Sequence, residues 1–390
     1  MTVNTSLKIL LLSGYDAVSH RRWRQELQEQ LPHHQFTQLY LPPRYFNWRI
    51  RGNSLTWAFT QRELLEQPYD LVIATSMVDL SALRGFVPAL ARIPTLLYFH
   101  ENQFAYPLSD AQFTSVEPQM ITLYSALCAD VLVFNSEFNR TTFIAGVDTL
   151  LRKLPDGVPS GLPELLHARS QILSVPLAQS YFAEAVQKAA QFTVIWNHRW
   201  EYDKGPERLL AMLKIFFAAQ SPSAKTPQLK VHIVGQQFRQ QPAAFAEIKQ
   251  LLEAHGVLGQ WGHVECAEDY QKLLCESHVV LSTALHDFQG LAVLEAVAAG
   301  CLPLVPNRQV YPEWFGTDHC YISDLKNPLS EAETMARALT ELAAAFNFGK
   351  LPTVPSLTHF NWTNLAGEYN ALLLAVSKMH RLTTVSSDSG

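Results

Sequence analysis

The chain reads as an α/β protein made of two doubly wound domains, and three observations carry that expectation. Its 390 residues exceed what one hydrophobic core ordinarily holds. Short continuous apolar runs alternate with helical patterns, as in parallel strands covered on both faces by helices. The alternation occurs twice, on either side of a stretch at roughly 157–190 ("GVPSGLPE", "SVPLAQS") with the Pro/Ser content of a connector.

Taken in order, the first half offers the strands "LKILLLSG", "QFTQLYL", "YDLVIATS", "PTLLYFH" and "DVLVFNS". Helices between them include "SHRRWRQELQEQL" and "LSALRGFVPALARI". The second half offers the strands "FTVIWNHR", "KVHIVGQ", "VVLSTA" and "CLPLVPN". Its helices include "GPERLLAMLKIFFAAQ" and "LAVLEAVAAG", the latter capped at Gly300. Ligands of such folds gather at the carboxyl ends of the strands, so a cleft between the two domains is expected and motifs that follow strands carry most weight.

Bulk composition narrows the class. Hydrophobic residues make up 48% and charged residues 17%, which suits a packed globule and excludes large-scale disorder. No apolar run reaches the roughly 18 residues of a membrane span, and "MTVNTSLKILLLSGY" lacks a signal-peptide cleavage pattern. A cytoplasmic protein with no membrane partner is expected. Cys128, Cys266, Cys275, Cys301 and Cys320 show no metal-type spacing and are expected as buried, reduced thiols. The formal charge is −5, yet residues 1–60 carry seven Lys/Arg against three Asp/Glu, a net +4 that leaves −9 elsewhere. Screening over about 8–10 Å lets such a basic region bind a polyanion on an acidic body.

Four motifs follow strands. In "HDFQGLAVLEAVAAG", Gly290 opens a helix whose first N–H groups form an anion site, with Asp287 just before it and Glu295 inside it. The two carboxylates suit sugar hydroxyls, although an N-capping Asp and a surface Glu would look the same. In "VIWNHRWEYDKGPERLL", Arg199 and Lys204 follow a strand and can neutralise a diphosphate, or simply pair with Glu201 and Asp203. His100 ends a strand in "LLYFHENQFAYP", where a core imidazole is the plain alternative. "SGYDAVSHRRWRQEL" follows the first strand and places His20 near that end of the sheet.

The pairing of "NHRWEYDKG" with "HDFQGLAVLEA" resembles the retaining GT-B glycosyltransferases of family 4, two Rossmann-like domains with a C-terminal helix that crosses back. The resemblance implies that Arg199 and Lys204 clamp the diphosphate, Asp287 touches the donor sugar and Glu295 the nucleotide ribose. Asn197, Phe288, Gln289, Gly290 and Leu291 are the further donor contacts, and His100 faces the donor sugar. Asp287 stands where Glu is more usual, and Gly14 is the one glycine of a loop that is normally Gly-rich. "HENQ", with "SHRRW", "VLVFNSEFN" and "NRQVYPEWF", is similar to the narrower glycosyltransferase-like family that includes the tRNA-queuosine mannosyltransferases. It implies an acceptor (tRNA) domain over 1–172, a sugar-nucleotide domain over 173–355, a crossover helix over 356–380 and a polar tail over 381–390.

The family implies retaining transfer from a sugar nucleotide, with GDP-mannose the donor and queuosine in a tRNA anticodon the acceptor. The leaving phosphate takes the acceptor proton, so positioning and charge stabilisation suffice. No Asp-x-Asp metal element is present, and with Arg199 and Lys204 supplying the charge, no metal cofactor is expected. Rivals are a family 4 enzyme with a soluble saccharide, small-molecule or lipid-linked acceptor, a non-catalytic tRNA- or nucleotide-binding protein, and a sugar-nucleotide epimerase.

The segment "LPPRYFNWRIRG" interleaves Arg44, Arg49 and Arg51 with Tyr45, Phe46 and Trp48. In isolation it is a loop of solvated arginines and half-buried aromatics. In a tRNA-binding domain it becomes an acceptor surface, with Arg44, Arg49 and Arg51 on phosphates and an aromatic such as Trp48 stacking a base. His20, Glu101, Asn102 and Gln103 complete the expected acceptor set.

Overall fold

The continuous apolar runs become strands buried on both faces, which is why they lack polar alternation. The computed structural model describes residues 6–106, 115–182, 188–219 and 229–379. It divides into two compact units, Met1–Pro176 with Trp362–Gly390, and Leu177–Asn361.

Unit 1 runs β1 (Lys8–Ser13), α1 (Val18–Gln30), β2 (Gln35–Tyr40), α2 (Phe46–Thr60), α3 (Arg62–Leu65), β3 (Leu71–Thr75), α4 (Leu80–Phe86), β4 (Thr95–Phe99), α5 (Glu117–Cys128), β5 (Val131–Phe134), α6 (Glu137–Leu151), α7 (Leu162–Ala168) and β6 (Ser170–Ile172). The described strands form one parallel sheet in the order β2-β1-β3-β4-β5-β6. Leu10, Leu12, Val72, Leu97, Phe99, Leu132 and Phe134 of that sheet are buried in one core cluster. Burying each such side chain contributes roughly 1.5–3 kcal/mol before chain entropy is counted.

Three local readings change. The predicted helix "LSALRGFVPALARI" stops at Phe86, because Pro88 holds Val87 out of the helical region (φ −127, ψ 79), and Pro88–Arg92 continue as a 3₁₀ turn. The expected connector is partly structured: α7 lies within it, and β6 pairs with β5 through Leu132↔Ser170 and Phe134↔Ile172. The basic-aromatic segment is mostly helix rather than loop, since α2 buries Ile50, Gly52, Asn53, Ser54, Trp57 and Ala58.

Unit 2 runs β7 (Phe192–Trp196), α8 (Pro206–Ala218), β8 (Leu229–Val234), α9 (Ala244–Ala254), β9 (Leu258–Gly262), α10 (Ala267–Glu276), β10 (Val279–Leu281), α11 (Leu291–Ala298), β11 (Leu302–Pro306), α12 (Tyr311–Phe315), β12 (Cys320–Tyr321) and α13 (Pro328–Asn347). Its described strands are ordered β12-β11-β10-β7-β8-β9. The chain direction across the sheet reverses between β7 and β10, which are parallel neighbours. Such a switch point opens a crevice at the carboxyl ends of the two strands. Gly300 follows α11 in the left-handed conformation (φ 94), the predicted cap.

The last helix, α14 (Trp362–Val376), belongs to unit 1. The Trp362 indole donates to Glu26 at 2.7 Å, and Tyr369 accepts from the Trp23 indole at 3.0 Å. Leu177 and Asn361, where the chain enters and leaves unit 2, pair in a parallel bridge. The polar tail predicted over 381–390 lies outside the described residues.

All five cysteines are free thiols. Cys275 and Cys301 are buried and Cys128 and Cys320 half-buried, but Cys266 is exposed at the start of α10, so the expectation of five buried thiols fails there. No helix among the described residues is long and apolar enough to cross a membrane. None of their His, Cys, Asp and Glu side chains group in threes or more to hold a metal ion.

Candidate active site

In unit 2 the loops after β7 and β10 meet at the switch point. Their approach depends on Gly205 (φ 65): a Cβ there would lie 2.2 Å from the Thr283 carbonyl oxygen. The contact is fixed by the Thr283 hydroxyl donating to Lys204 O at 2.7 Å and by Leu285 N–H donating to Asp203 O at 2.7 Å.

Lys204 and Asp287, 83 residues apart, form a buried ion pair across this contact, with Nζ 2.9 Å from Oδ1. The ammonium also donates to His286 O at 2.7 Å and lies 3.1 Å from Asp203 Oδ2, which occupies all three of its N–H groups. Burial alone would lower the Lys204 pKa, but Asp287 and then Asp203 outweigh it and raise it. Burial would likewise raise Asp287, yet Lys204, His198 and the Tyr311 hydroxyl bring its carboxyl down to about 2. Tyr311 donates to Asp287 Oδ2 at 2.6 Å and shares a 2.9 Å hydrogen bond with Ser282, which also meets His198 Nε2 at 2.9 Å. Burial holds His198 neutral, with its pKa pulled down to about 4.

Arg199 is the exposed cation of the site, and its guanidinium lies 2.8 Å from Glu201. The pairings Arg199–Glu201 and Lys204–Asp203 both form, alongside the Lys204–Asp287 contact that spacing alone did not reveal. Gly290 is left-handed (φ 72) at the start of α11, where Leu291 is the first helical residue. Phe288 and Gln289 are buried in the turn before it. On the other flank, Asn197 donates to Ala292 O at 2.7 Å and to the Tyr270 hydroxyl at 3.0 Å. Tyr270 in turn donates to Glu295 at 3.5 Å, so Asn197 and Glu295 are brought together through a tyrosine that no motif marked.

In unit 1, His100 follows β4 and stacks on His20 of α1, with ring centroids 4.1 Å apart. The Trp23 and His100 rings are nearly perpendicular, with centroids 4.8 Å apart. His100 Nε2 is buried with no hydrogen-bond partner among the described residues. Burial, and then His20, hold its pKa well below 6.5, so the ring is neutral. His20 Nδ1 lies 2.9 Å from Tyr15 O. Beneath the pair, Arg24 grips Asp16 with two 2.9 Å hydrogen bonds and lies 3.9 Å over the Tyr40 ring, an anchor sequence reasoning missed.

Asn102, expected in the acceptor set, is buried and hydrogen-bonded within the fold. Its Nδ2 faces Asn139 O, Asn139 Oδ1 and Thr142 Oγ1 at 2.9–3.1 Å, and its Oδ1 accepts from the Phe104 and Ala105 amides. Both ends of the amide are consumed in bracing the turn after β4. Glu101 and Gln103 are half-buried beside it, and Gln103 Nε2 lies 3.4 Å from Met77 Sδ.

At the start of α2, Arg44 and Tyr45 are exposed, with the guanidinium 5.7 Å from the ring centroid. Tyr45 is left-handed (φ 58), and the half-exposed Trp48 indole lies along the helix over Gly52, where a Cβ would meet it at 2.5 Å. Arg49 is half-buried. Arg51 is committed to Asp79 at 3.0 Å and Glu117 at 3.5 Å, which separates it from Arg44 in kind.

Residues 8–177 match the family described as tRNA-queuosine alpha-mannosyltransferase N-terminal, and residues 179–349 match Glycosyl transferases group 1. A tRNA-queuosine alpha-mannosyltransferase of Drosophila melanogaster is 30% identical over 357 residues, covering 89% of this chain and 88% of the fly protein. Among solved structures, a UDP-forming alpha,alpha-trehalose-phosphate synthase from Burkholderia vietnamiensis superposes with a TM-score of 0.65 at 14% identity, covering 99% of this chain and all (100%) of that one. Its counterpart from Burkholderia xenovorans gives 0.63 at 14% identity, with 96% and 100% covered. At this identity the likeness speaks for the fold.

Proposed function

The chain belongs to the tRNA-queuosine alpha-mannosyltransferase family and is a glycosyltransferase of the GT-B fold, and on that premise we propose that it moves mannose from GDP-mannose onto queuosine in a tRNA anticodon. Transfer proceeds with retention, in the manner of family 4 enzymes, without a metal ion and in the cytoplasm, where tRNA is met. The observation that carries this is the charged cluster at the unit 2 switch point, where Arg199 and the Lys204–Asp287 pair stand before the N-terminus of α11.

The bond between the anomeric carbon and the diphosphate oxygen breaks, and the diphosphate leaves with the electron pair. A queuosine hydroxyl oxygen bonds to the anomeric carbon, and its proton passes to the leaving phosphate. The protein's task is to stabilise the charge that builds on the diphosphate. Arg199 does so by exchanging Glu201 for phosphate, and Lys204 by exchanging Asp203. Charge-assisted hydrogen bonds of this kind contribute roughly 1.5–3 kcal/mol each. The carboxylate of Asp287 is already held by Lys204 and Tyr311, so its first duty is to keep Lys204 charged and placed. Glu295, with Asn197 and Tyr270, receives the ribose hydroxyls. Neutral His100 offers Nε2 to a hydroxyl of the donor sugar. Arg44, Trp48 and Arg49 meet the RNA, with Tyr45 beside them.

The test supplies GDP-[14C]mannose and tRNA that either contains or lacks queuosine. Label on the queuosine tRNA alone is the expected result. Label on both tRNAs, on neither, or on an added oligosaccharide instead would overturn the acceptor, and transfer from a UDP-sugar but not GDP-mannose would overturn the donor. Loss of transfer in EDTA with recovery on Mg²⁺ would remove the metal-free mechanism.

A further inference from the structure

The loop that carries Asp287 is held from the neighbouring strand end by side chains to which the transfer chemistry gives no role. β10 and β11 are parallel neighbours in register (Val279↔Leu302, Leu281↔Leu304), so the segments that follow them lie side by side. Arg308 donates Nε–H to Ala284 O at 2.9 Å while buried Glu331 fixes its guanidinium at 2.7 Å. Gln309 accepts from the Asp287 amide at 2.6 Å and donates to Leu285 O. Tyr311 donates to the Asp287 carboxylate at 2.6 Å, and Trp314 donates to Gln289 O at 3.0 Å. The Tyr311 ring also lies against Gly290, where a Cβ would approach Cε1 to 3.1 Å.

Gln309 marks this contact as more than packing. It is one of two non-glycine residues with positive φ among those described, at φ 56. A left-handed glutamine is a strained choice, and such conformations persist where the surroundings over-determine them. Glycine would relieve the strain but has no side chain, whereas the Gln309 amide accepts from the Asp287 N–H and donates to the Leu285 carbonyl at once.

We propose that the Gln309–Trp314 segment is a positioning element of the donor site, in which Tyr311 and Gln309 fix Asp287 so that Asp287 in turn fixes Lys204. This rests on the donor-site assignment above and adds residues to it. Losing the Tyr311 hydroxyl frees the second oxygen of Asp287 and lets the carboxylate turn away from the ammonium. Losing the Gln309 amide frees the loop backbone on both sides of His286.

The full-length protein is compared with Tyr311→Phe, which keeps the ring, and Gln309→Gly, which relieves the backbone strain. Three readouts are taken: hydrogen exchange of peptides spanning 284–291, affinity for GDP and for UDP by calorimetry, and kcat and KM for both substrates. For Gln309→Gly the expected result is an unchanged or higher melting temperature, at least tenfold faster exchange in 284–291, and at least tenfold lower kcat with the tRNA KM held. For Tyr311→Phe it is at least tenfold weaker nucleotide binding and an acid limb of kcat/KM displaced to higher pH, because a carboxylate that loses a donor is easier to protonate. A brace of purely structural value would lower the melting temperature and leave nucleotide affinity and pH profile in place. Unchanged exchange in both variants, a loosened loop with wild-type nucleotide affinity, or failure of the wild type to bind either nucleotide overturns the proposal. Were the wild type to bind nucleotide but leave queuosine tRNA unlabelled, the acceptor assignment would fall, and exchange and affinity would still decide this one.

Discussion

The imidazoles of His20 and His100 stack 4.1 Å apart with their planes inclined by 21°, and the outer nitrogen of His100 is buried without a protein partner among the described residues. Burial, and then the neighbouring imidazole, make a positive charge on His100 costly. His100 therefore presents a neutral imidazole throughout the physiological range. Transfer should show no loss between pH 8 and pH 6 that tracks the ordinary histidine range. His100→Ala should lower kcat on the order of 100-fold, the usual cost of a missing transition-state hydrogen bond. An acid limb at pH 6.5 that vanishes in the variant would contradict this.

Folding stability should fall as pH drops from about 6.5 toward 4. His198 and His286 are buried, with pKa values pulled down to about 4, by burial first and by the Lys204 charge in both. Over that window the unfolded chain binds protons that the folded one refuses, so each loses up to about 1.4 kcal/mol per pH unit. Asp287 acts lower down: with its folded pKa at about 2, its contribution is complete above the unfolded carboxylate range and disappears only as pH falls toward 2. Equal urea midpoints at pH 7.5 and pH 5.5 would rule out the histidine contribution.

Arg199→Ala should be a functional rather than a structural loss. Its exposed pair with Glu201 is worth at most about 1 kcal/mol to folding. Transfer should drop 100-fold or more, in line with removal of a charge-assisted hydrogen bond made in the transition state, while tRNA affinity by filter binding stays put. Equal activity would remove Arg199 from the diphosphate.

The arginines of the basic-aromatic segment should divide. Arg44→Ala/Arg49→Ala should weaken tRNA binding and flatten its dependence on log salt by about 1.5, near 0.7–0.9 for each phosphate left without its arginine. Arg51→Ala should change that slope less, because its guanidinium is spent on Asp79 and Glu117. The reverse ranking would centre the RNA surface on Arg51 and its Asp79–Glu117 neighbours instead.

Tyr369→Phe should cost about 1–3 kcal/mol of stability in urea, since its hydroxyl sits buried among the Trp23 indole at 3.0 Å, the Tyr98 hydroxyl at 3.1 Å and Ser174 O at 3.0 Å. GDP affinity should not change, as these partners all lie in unit 1.

How much of this could be read from residues alone follows sheet position. The strands recognised in advance include every interior one, whose two buried faces demand an unbroken apolar run. The three missed, β6, β9 and β12, are all edge strands, and "LGQWG" of β9 carries two glycines and a glutamine that mask it. At the site, Arg199, Lys204 and Asp287 were visible as charges in the segments that follow buried strands, and Glu295 by its spacing after Asp287 within the helix. The contact between Lys204 and Asp287 was not, since it is made by the neighbouring placement of β7 and β10. Gln309 and Tyr311 were hidden for the same reason, their partners being set by the register of β10 against β11. Asn102 shows what residue type alone hides: a polar residue after a strand looks available, yet both ends of its amide have partners inside the fold.

The helix α14 has a consequence for how the chain is made. Residues Leu177–Asn361 leave the ribosome as one uninterrupted piece, so the second unit to be synthesised has every part it needs before residue 362 is added. The first does not. Glu26, Trp23 and Tyr98 wait for Trp362 and Tyr369, which arrive only after the whole of Leu177–Asn361 has been translated. Vectorial folding from the N-terminus is the common order, and here completion runs backwards. A stop codon placed before Tyr369 would therefore damage the unit translated first and leave every residue of the second in place.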